Sequence, residues 1–432
     1  MNRTSLLFLS SIAITFVLWI LSKEHFVLFV STDTLKAITQ ICALIGAVGY
    51  FFTYILSSKL PFLEKITSLD QLYKTHRLVG TLAGAGILLH VSSLIARLLP
   101  LPSAFTLYLI PSTNLSYNVG ILAFYLLLVL LITTLYTNLP YHIWKLIHKL
   151  ASFGILFAFL HLLIIPSDIS TNLPLRIWMI GIATLGMIAW VYKEFLEQFI
   201  RKSFEYRVTN IAKADDITVI TMQAQKDSIP ATPGSFAFFT FYADNKVVTK
   251  ESHPFTILDT NANELAIAVK NLGDYTTLIS YIPVGSKVVV TGPHGKFGKR
   301  ILATKEQQVW IGAGIGITPF YSVASYLQKR GLSHHSIDLF YFTSTPDKIF
   351  HPTLLASAKE TGIKYTYACT SISGRQLPSN LLSEDTVSNK KVTYFLCGPA
   401  GMISAYSEYL LSKGVPQKRI ITEAFEFKSL EI

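Results

Sequence analysis

Four histidines interrupt stretches that are otherwise apolar: His76 and His90 in one run, His148 and His161 in another. An ionisable side chain inside a membrane helix is expensive and usually functional, and imidazole is a metal ligand or a proton carrier before anything else. Fourteen residues separate the first two and thirteen the second two, about 21 Å and about 20 Å of helical rise. With both helices running the same way, His76 and His148 share one level of the bilayer and His90 and His161 the other. Two stacked bis-imidazole sites follow, and imidazole on both faces of a haem iron favours electron transfer over ligand chemistry at the metal. At 100° per residue, fourteen residues return to within about 40° of one face, whereas thirteen miss by about 140°. The second helix therefore needs a local irregularity or a rotated haem, and Gly154 is the expected place for it. Gly80, Gly84 and Gly86 would let a bulky porphyrin approach the first helix. The plainer alternative, histidines hydrogen-bonded to neighbouring helices, fits one histidine better than two matched pairs. His142 and His25, at loop ends without such partners, read as interfacial.

A second chemistry is written later in the chain. His253-Pro254-Phe255-Thr256-Ile257 is expected after the barrel strands, and Val269–Thr277 leads into a helix expected at Leu278–Ile282. A turn rich in backbone donors, with Gly273 and the Thr276 and Thr277 hydroxyls at a helix start, suits a pyrophosphate, and Lys270 adds a point charge. A simple N-cap is the alternative. In Val309–Pro319 a buried strand meets Gly312, Gly314 and Gly316, and Thr318-Pro319 opens a helix; glycines here admit a dinucleotide pyrophosphate to the backbone. The spacing is not the usual G-x-G-x-x-G. Leu396–Met402, with Gly398 and Pro399, repeats the strand-turn-helix logic. It brings the Cys397 thiol to the nicotinamide side of the crevice, or leaves it a small buried hydrophobe. Phe425, in the run Glu423–Phe427, can cover a flavin ring.

The elements that must carry these residues differ along the chain. Of 432 residues 51% are hydrophobic and 15% charged, far from soluble averages. Residues 1–200 hold 12 Lys/Arg and 7 Asp/Glu, against 25 and 19 afterwards, so the apolar excess lies at the front. The net charge of +11 divides as about +5 and +6; it forms no single patch for nucleic acid. Three cysteines are too few for a disulfide framework or a four-cysteine cluster, and no calcium-binding loop is present. Six spans are expected near Leu6–Leu21, Leu35–Leu56, Leu78–Leu99, Val119–Tyr136, Trp144–Ile165 and Leu175–Val191. Basic residues concentrate in alternate connections, and 100–118 and 166–173 contain none. The positive-inside rule then makes both termini, and everything after about residue 200, cytoplasmic in a plasma-membrane protein. Beyond Lys202, short alternating runs at Phe204–Thr209, Ile217–Gln223 and Phe236–Tyr242 predict an antiparallel β-barrel. From Gln308, alternating strands and helices predict a doubly wound α/β layer. Three domains are expected: 1–200, a six-helix transmembrane bundle; 201–303, the barrel; and 304–432, the α/β domain.

Taken in order, these residues resemble the ferredoxin–NADP⁺ reductase superfamily fused to a ferric-reductase transmembrane domain, as in bacterial NADPH oxidase homologues. The resemblance covers nearly the whole chain. It implies two b-type haems, held by His76 with His148 and by His90 with His161. It also implies FAD on His253–Thr256 and Lys270–Thr277, with NADPH or NADH on Gly312–Pro319 and Cys397–Pro399. Phe425 is similar to the terminal aromatic that stacks on the isoalloxazine. Pro233-Gly234-Ser235 departs from the family's Pro-Gly-Gln, and Tyr341–Thr345 lacks the arginine of NADPH-selective members; Lys348 or Arg375 replaces it, or NADH serves as well. The implied function is electron transfer from cytosolic NAD(P)H through FAD and the haems to an outer acceptor. Loop 100–118, with no basic residue, favours O2 and superoxide over a ferric or cupric chelate. A channel or transporter gated by a redox sensor is the alternative of a different class. The expected partners are the lipid bilayer and the acceptor, with no nucleic acid and no obligate protein.

Overall fold

The computed structural model describes residues 3–23, 34–99, 101, 103–137, 139–242, 251–261, 263–332, 336–389 and 391–423. The chain forms two compact units, Met1–Ile200 and Arg201–Ile432.

In the first unit, helices at Arg3–Leu21, Thr34–Ser57, Gln71–Leu98, Leu115–Leu135, Ile143–Ile164 and Leu173–Leu196 are long and apolar enough to cross a bilayer. The six expected spans are therefore present. Outward leucines and isoleucines such as Leu78 and Ile177, 56% and 65% exposed, are what a lipid-facing surface carries. The second span is the most enclosed, with Val48 and Phe51 fully buried. Small residues bring its backbone onto the third: a Cβ on Gly46 would stand 2.8 Å from Ile87 Cγ1, and one on Gly86 3.2 Å from the Cys42 carbonyl oxygen. Such close approach is how helices bind one another in lipid.

The fifth span is irregular, one of the two outcomes the thirteen-residue spacing allows, but not at Gly154. It consists of a helix at Tyr141–His148 and another at Ala151–Ile164. Between them the winding tightens: Leu150 N–H donates to the Ile147 carbonyl (2.9 Å), Ser152 to Lys149 (3.0 Å) and Phe153 to Leu150 (3.0 Å). Residues wound at three per turn advance about 120° rather than 100°, so a few of them recover much of the missing rotation. Gly154 lies inside the second helix, where its missing side chain makes room for the Tyr50 hydroxyl.

The second unit opens with a closed antiparallel barrel of β1 (Ser203–Ala214), β2 (Ile217–Ala224), β3 (Phe236–Tyr242), β4 (Ser252–Asn261), β5 (Glu264–Lys270) and β6 (Lys287–His294). Their order around it is β1-β2-β5-β4-β3-β6. Phe204, Tyr206 and Val208 alternate inward along β1, the period-two signature of a strand with one buried face. A parallel sheet follows, of β7 (Gln308–Ala313), β8 (Ile337–Thr343), β9 (Lys364–Cys369), β10 (Thr393–Cys397) and β11 (Ile420–Glu423), ordered β11-β10-β7-β8-β9. β7 and β10 are buried along their lengths, as strands covered on both faces must be. The sequence His253–Ile257 is not beyond the barrel strands but within β4. The helix expected at Leu278–Ile282 begins earlier and spans Asp274–Ile279.

Candidate functional site

Three of the four intramembrane histidines are oriented by main-chain carbonyls. His76 Nδ1 lies 3.0 Å from the Thr53 oxygen, His90 Nδ1 3.0 Å from Thr39, and His161 Nδ1 2.8 Å from Ser116. A carbonyl only accepts, so each Nδ1 carries the proton and Nε2 keeps its lone pair for a ligand. His148 Nδ1 is buried without a hydrogen-bond partner, and its ring stacks on Trp144 at 4.8 Å. The His76 and His148 ring centroids are 6.4 Å apart. Two metal–nitrogen bonds of about 2 Å, plus about 1.2 Å from each nitrogen to its ring centre, give about 6.4 Å; this pair has the separation for one metal between two imidazoles. At the outer level Gly120 leaves the space His161 fills, since a Cβ there would stand 2.7 Å from its ring. Among the described residues no three His, Cys, Asp or Glu side chains converge as a metal site. His25 lies outside the described residues.

The barrel has a mouth between β4 and β5. These strands pair only from Ile257 and Ile267 towards their hairpin; His253–Thr256 pair with β3 alone, and Ala268–Lys270 with β2 alone. Pro254, with no N–H to donate, falls where one strand edge needs no partner. Across the mouth the His253 ring stacks on Tyr275 at 3.8 Å, and its Nε2 is 2.8 Å from the Glu251 carboxylate. Burial and the Glu251 charge push the Tyr275 hydroxyl above its ordinary range. The Thr276 and Thr277 hydroxyls brace the Gly273 turn: Thr276 Oγ1 accepts from Leu272 and Gly273 N–H (2.9 and 3.0 Å), and Thr277 shares its proton between the Gly273 carbonyl (2.9 Å) and Asn271. Lys270 is held 3.2 Å from Asp216, a partner that the spacing around Lys270 could not announce.

Two of the predicted turns meet. Gly312 on β7 is in register with Cys397 on β10, and the turn Gly314–Ile317 rests on the segment Cys397–Gly398. A Cβ on Gly316 would stand 2.5 Å from the Cys397 carbonyl oxygen. Gly314 has φ +54° and Gly398 φ +158°, conformations that ordinary side chains rarely adopt. Thr318 is buried and its hydroxyl donates to the Ile315 carbonyl (2.9 Å), with Pro319 in the first turn of the helix Thr318–Lys329. Cys397 is fully buried, and desolvation, then the nearby Glu423 charge, raise its thiol well above the ordinary value. The thiol is a packed, protonated group rather than an exposed one. Glu423, buried opposite it on β11, was not singled out from sequence. Phe425 lies outside the described residues.

Beside Gly314 an open cleft runs between the β1–β2 turn and the segment after β8. Both of its lysines are paired: Lys270 with Asp216, and Lys348 with Asp215 at 3.5 Å. Asp347, also at the cleft, accepts from the N–H groups of Ile349, Phe350 and His351 (3.2, 2.9 and 2.6 Å) and so caps the next helix. Arg375 does not line the cleft.

Residues 42–160 match the ferric reductase like transmembrane component family, 201–297 an FAD-binding domain family, and 310–408 the oxidoreductase NAD-binding domain family. The electron transfer subunit of dihydroorotate dehydrogenase B (NAD(+)) of Fusobacterium nucleatum is 26% identical over 40% of this chain and 66% of its own length. The reductase component of propane 2-monooxygenase of Mycolicibacterium goodii is 27% identical over 45% of this chain and 61% of its own. This chain thus spans no more than about two thirds of the length of these two relatives. A flavohemoglobin structure from Malassezia yamatoensis aligns with a TM-score of 0.49 at 18% identity, over 91% of this chain and 97% of that one. With the three matched families following one another across the spans, the barrel and the parallel sheet, the chain belongs to the NADPH oxidase / ferric reductase-like superfamily.

Proposed function

We propose that this protein is a transmembrane oxidoreductase that moves electrons from NAD(P)H through FAD and two b-type haems to an acceptor across the plasma membrane, chiefly O2, which becomes superoxide. When bound, FAD takes a hydride and the haems carry single electrons, which joins two-electron to one-electron chemistry. The observation that carries the reading is the His76–His148 pair, 6.4 Å between ring centres within apolar spans. His76, His90 and His161 have Nδ1 fixed by carbonyls, which leaves Nε2 to ligate. We assign His76 with His148 to the inner haem and His90 with His161 to the outer one. Imidazoles on both faces leave no open iron position, so an acceptor is reduced at the macrocycle edge.

In the dehydrogenase portion the domains are 201–303 for FAD and 304–432 for the nucleotide; the helix Phe297–Ala303 ends at the boundary and Thr304 turns extended. His253–Thr256 and Lys270–Thr277 border the barrel mouth and hold FAD. Gly312, Gly314 and Gly316, with Thr318-Pro319 and Gly398-Pro399, let the pyrophosphate of NAD(P)H approach the backbone. Cys397 packs beneath the nicotinamide and Phe425 covers the flavin. Both termini face the cytosol, since basic residues concentrate in the connections on that side. A ferric or cupric chelate is the second acceptor class, and the absence of Lys and Arg from 100–118 weighs against it.

The test is anaerobic reduction of purified, FAD-supplemented protein by NADPH, then admission of air. Reduced b-type haem bands followed by dismutase-sensitive cytochrome c reduction are expected. Protein without haem absorbance would sink the conduit, and dismutase-insensitive reduction would turn the assignment towards chelates.

A further inference from the structure

The inner histidine pair has a charged neighbour that the electron route does not use. The sixth span leaves α-helical winding for one π turn at Tyr192–Leu196 before the helix Glu197–Ile200, and such insertions gather at functional sites. Lys193 lies in that turn. Its ammonium donates to the Ser57 hydroxyl at the end of the second span, 3.3 Å away, one helical turn beyond Thr53, whose carbonyl holds His76. Glu194 and Glu197 influence it through space, yet among the described residues no carboxylate forms an ion pair with it. Nearby polar atoms are similarly left over: the Tyr192 hydroxyl, the Trp190 indole N–H and His148 Nδ1 are buried with no hydrogen-bond partner. A half-buried cation at a membrane-helix end is costly unless an anion joins it.

Resting on the assignment of His76 and His148 to a haem, we propose that Lys193 and Ser57 bind the carboxylate side chains of that inner macrocycle. A haem supplies anionic carboxylates beside its ligands, and this ammonium with its hydroxyl neighbour is the donor set they need. Lys193 is then a cofactor-binding residue that also sets the potential: a cation at the carboxylates favours the iron that has gained an electron.

The full chain in lipid nanodiscs tests this as wild type, K193M, K193Q and K193R, with H148A marking the inner component. Haem-to-protein ratio and spectroelectrochemical titration are the readouts. K193M and K193Q should shift the inner component at least tenfold towards the oxidised form, about 59 mV for a one-electron couple, or lose it while the outer one stays; K193R should restore it. Unchanged content and midpoints in K193M and K193Q overturn the proposal. So does a shift seen only in discs containing anionic phospholipid, which would give Lys193 to a lipid headgroup. If K193M does not fold, K193Q against K193R decides, equal midpoints being the refuting result. Wild-type protein without haem absorbance is a separate failure: it removes the histidine assignment itself.

Discussion

Gly316→Ala isolates the meeting of the two nucleotide turns. The added Cβ would stand 2.5 Å from the Cys397 carbonyl oxygen, 2.6 Å from its carbon and 2.6 Å from Gly398 Cα. All three are backbone atoms, so no side chain can swing aside. Relief requires the Gly314–Ile317 turn or the Cys397–Gly398 segment to move by most of an ångström, and Gly312 and Cys397 are tied by the β7–β10 register. Overpacking of this kind costs about 1–3 kcal/mol, which is about 5-fold to 150-fold in an equilibrium constant. Gly401→Ala is the matched control: no atom lies within 4 Å of its Cβ position, and it sits in the first turn of the helix Ala400–Ser412. There, alanine should stabilise by about 0.4–1 kcal/mol. The assay is the nucleotide dependence of anaerobic flavin reduction, with FAD content and dithionite-reduced haem spectra as controls. Gly316→Ala should raise KM for NAD(P)H at least about fivefold with FAD and haem retained, and Gly401→Ala should leave KM unchanged. Wild-type KM and thermal stability in Gly316→Ala, or equal losses in both variants, would refute the steric argument.

Gly120→Ala places a Cβ 2.7 Å from the His161 ring, which hydrogen-bonds the Ser116 carbonyl. It should deplete the outer haem and spare the inner, as counted by pyridine haemochrome and redox titration; two haems at wild-type potentials would contradict the site. In the cleft beside Gly314 Lys270 and Lys348 are both paired with aspartates, so a 2′-phosphate bound there must displace a carboxylate. NADPH should then exceed NADH in kcat/KM by less than about tenfold, or 1.4 kcal/mol, and a larger preference would refute the charge argument. The Cys397 thiol is raised well above its ordinary value. Thiolate, the reactive form, therefore appears only at higher pH than in the unfolded chain. Mass spectrometry should find Cys397 unalkylated in folded protein from about pH 7 to 9 and alkylated in denaturant, where thiols titrate near 8.5; modification of the folded protein over that range would count against its burial.

What was legible in the sequence is what repeats with a fixed period or stands in a short contiguous run. Six apolar stretches announced the spans because a bilayer sets their length, and alternation announced β1 to β3. The glycine turns at Gly312–Gly316 and Cys397–Pro399 could be placed because a strand must end before a helix begins. Partners distant in sequence were not legible. Nothing around Lys270 points to Asp216, nor anything around Lys348 to Asp215, although both pairs form. Nor does sequence say which partner a hydroxyl prefers: those of Thr276 and Thr277 bond to Gly273. The irregularity in the fifth span was one of the two outcomes that rotation allows, but glycine was the wrong signal. The tightening occurs at Lys149–Leu150, immediately beyond His148.

The two histidine levels are joined by a single helix register. Thr39 and Thr53, whose carbonyls orient His90 and His76, are fourteen residues apart on the second span, as the histidines are on the third. Antiparallel helices in one register match equal spacings of opposite sense, so one sliding position aligns both contacts. Midway between them Gly46 meets the third span, its Cβ position 3.4 Å from the Ala83 carbonyl oxygen and 3.1 Å from Ile87 N. Gly49 meets Ala83 and Val79 a turn further on. A one-residue slip would move the carbonyls about 1.5 Å along the axis and rotate them about 100° away from both imidazoles. Glycine contacts at the centre of the pair thus fix the tautomer of two ligands about 10 Å to either side. The remaining two histidines need no such register: His161 is held by the fourth span, through Ser116 and Gly120. His148 instead has the stack on Trp144 within its own helix. The His76–His148 level is therefore fixed by a carbonyl on one side only, so the His148 ring depends more on the groups packed around it than His90 and His161 do.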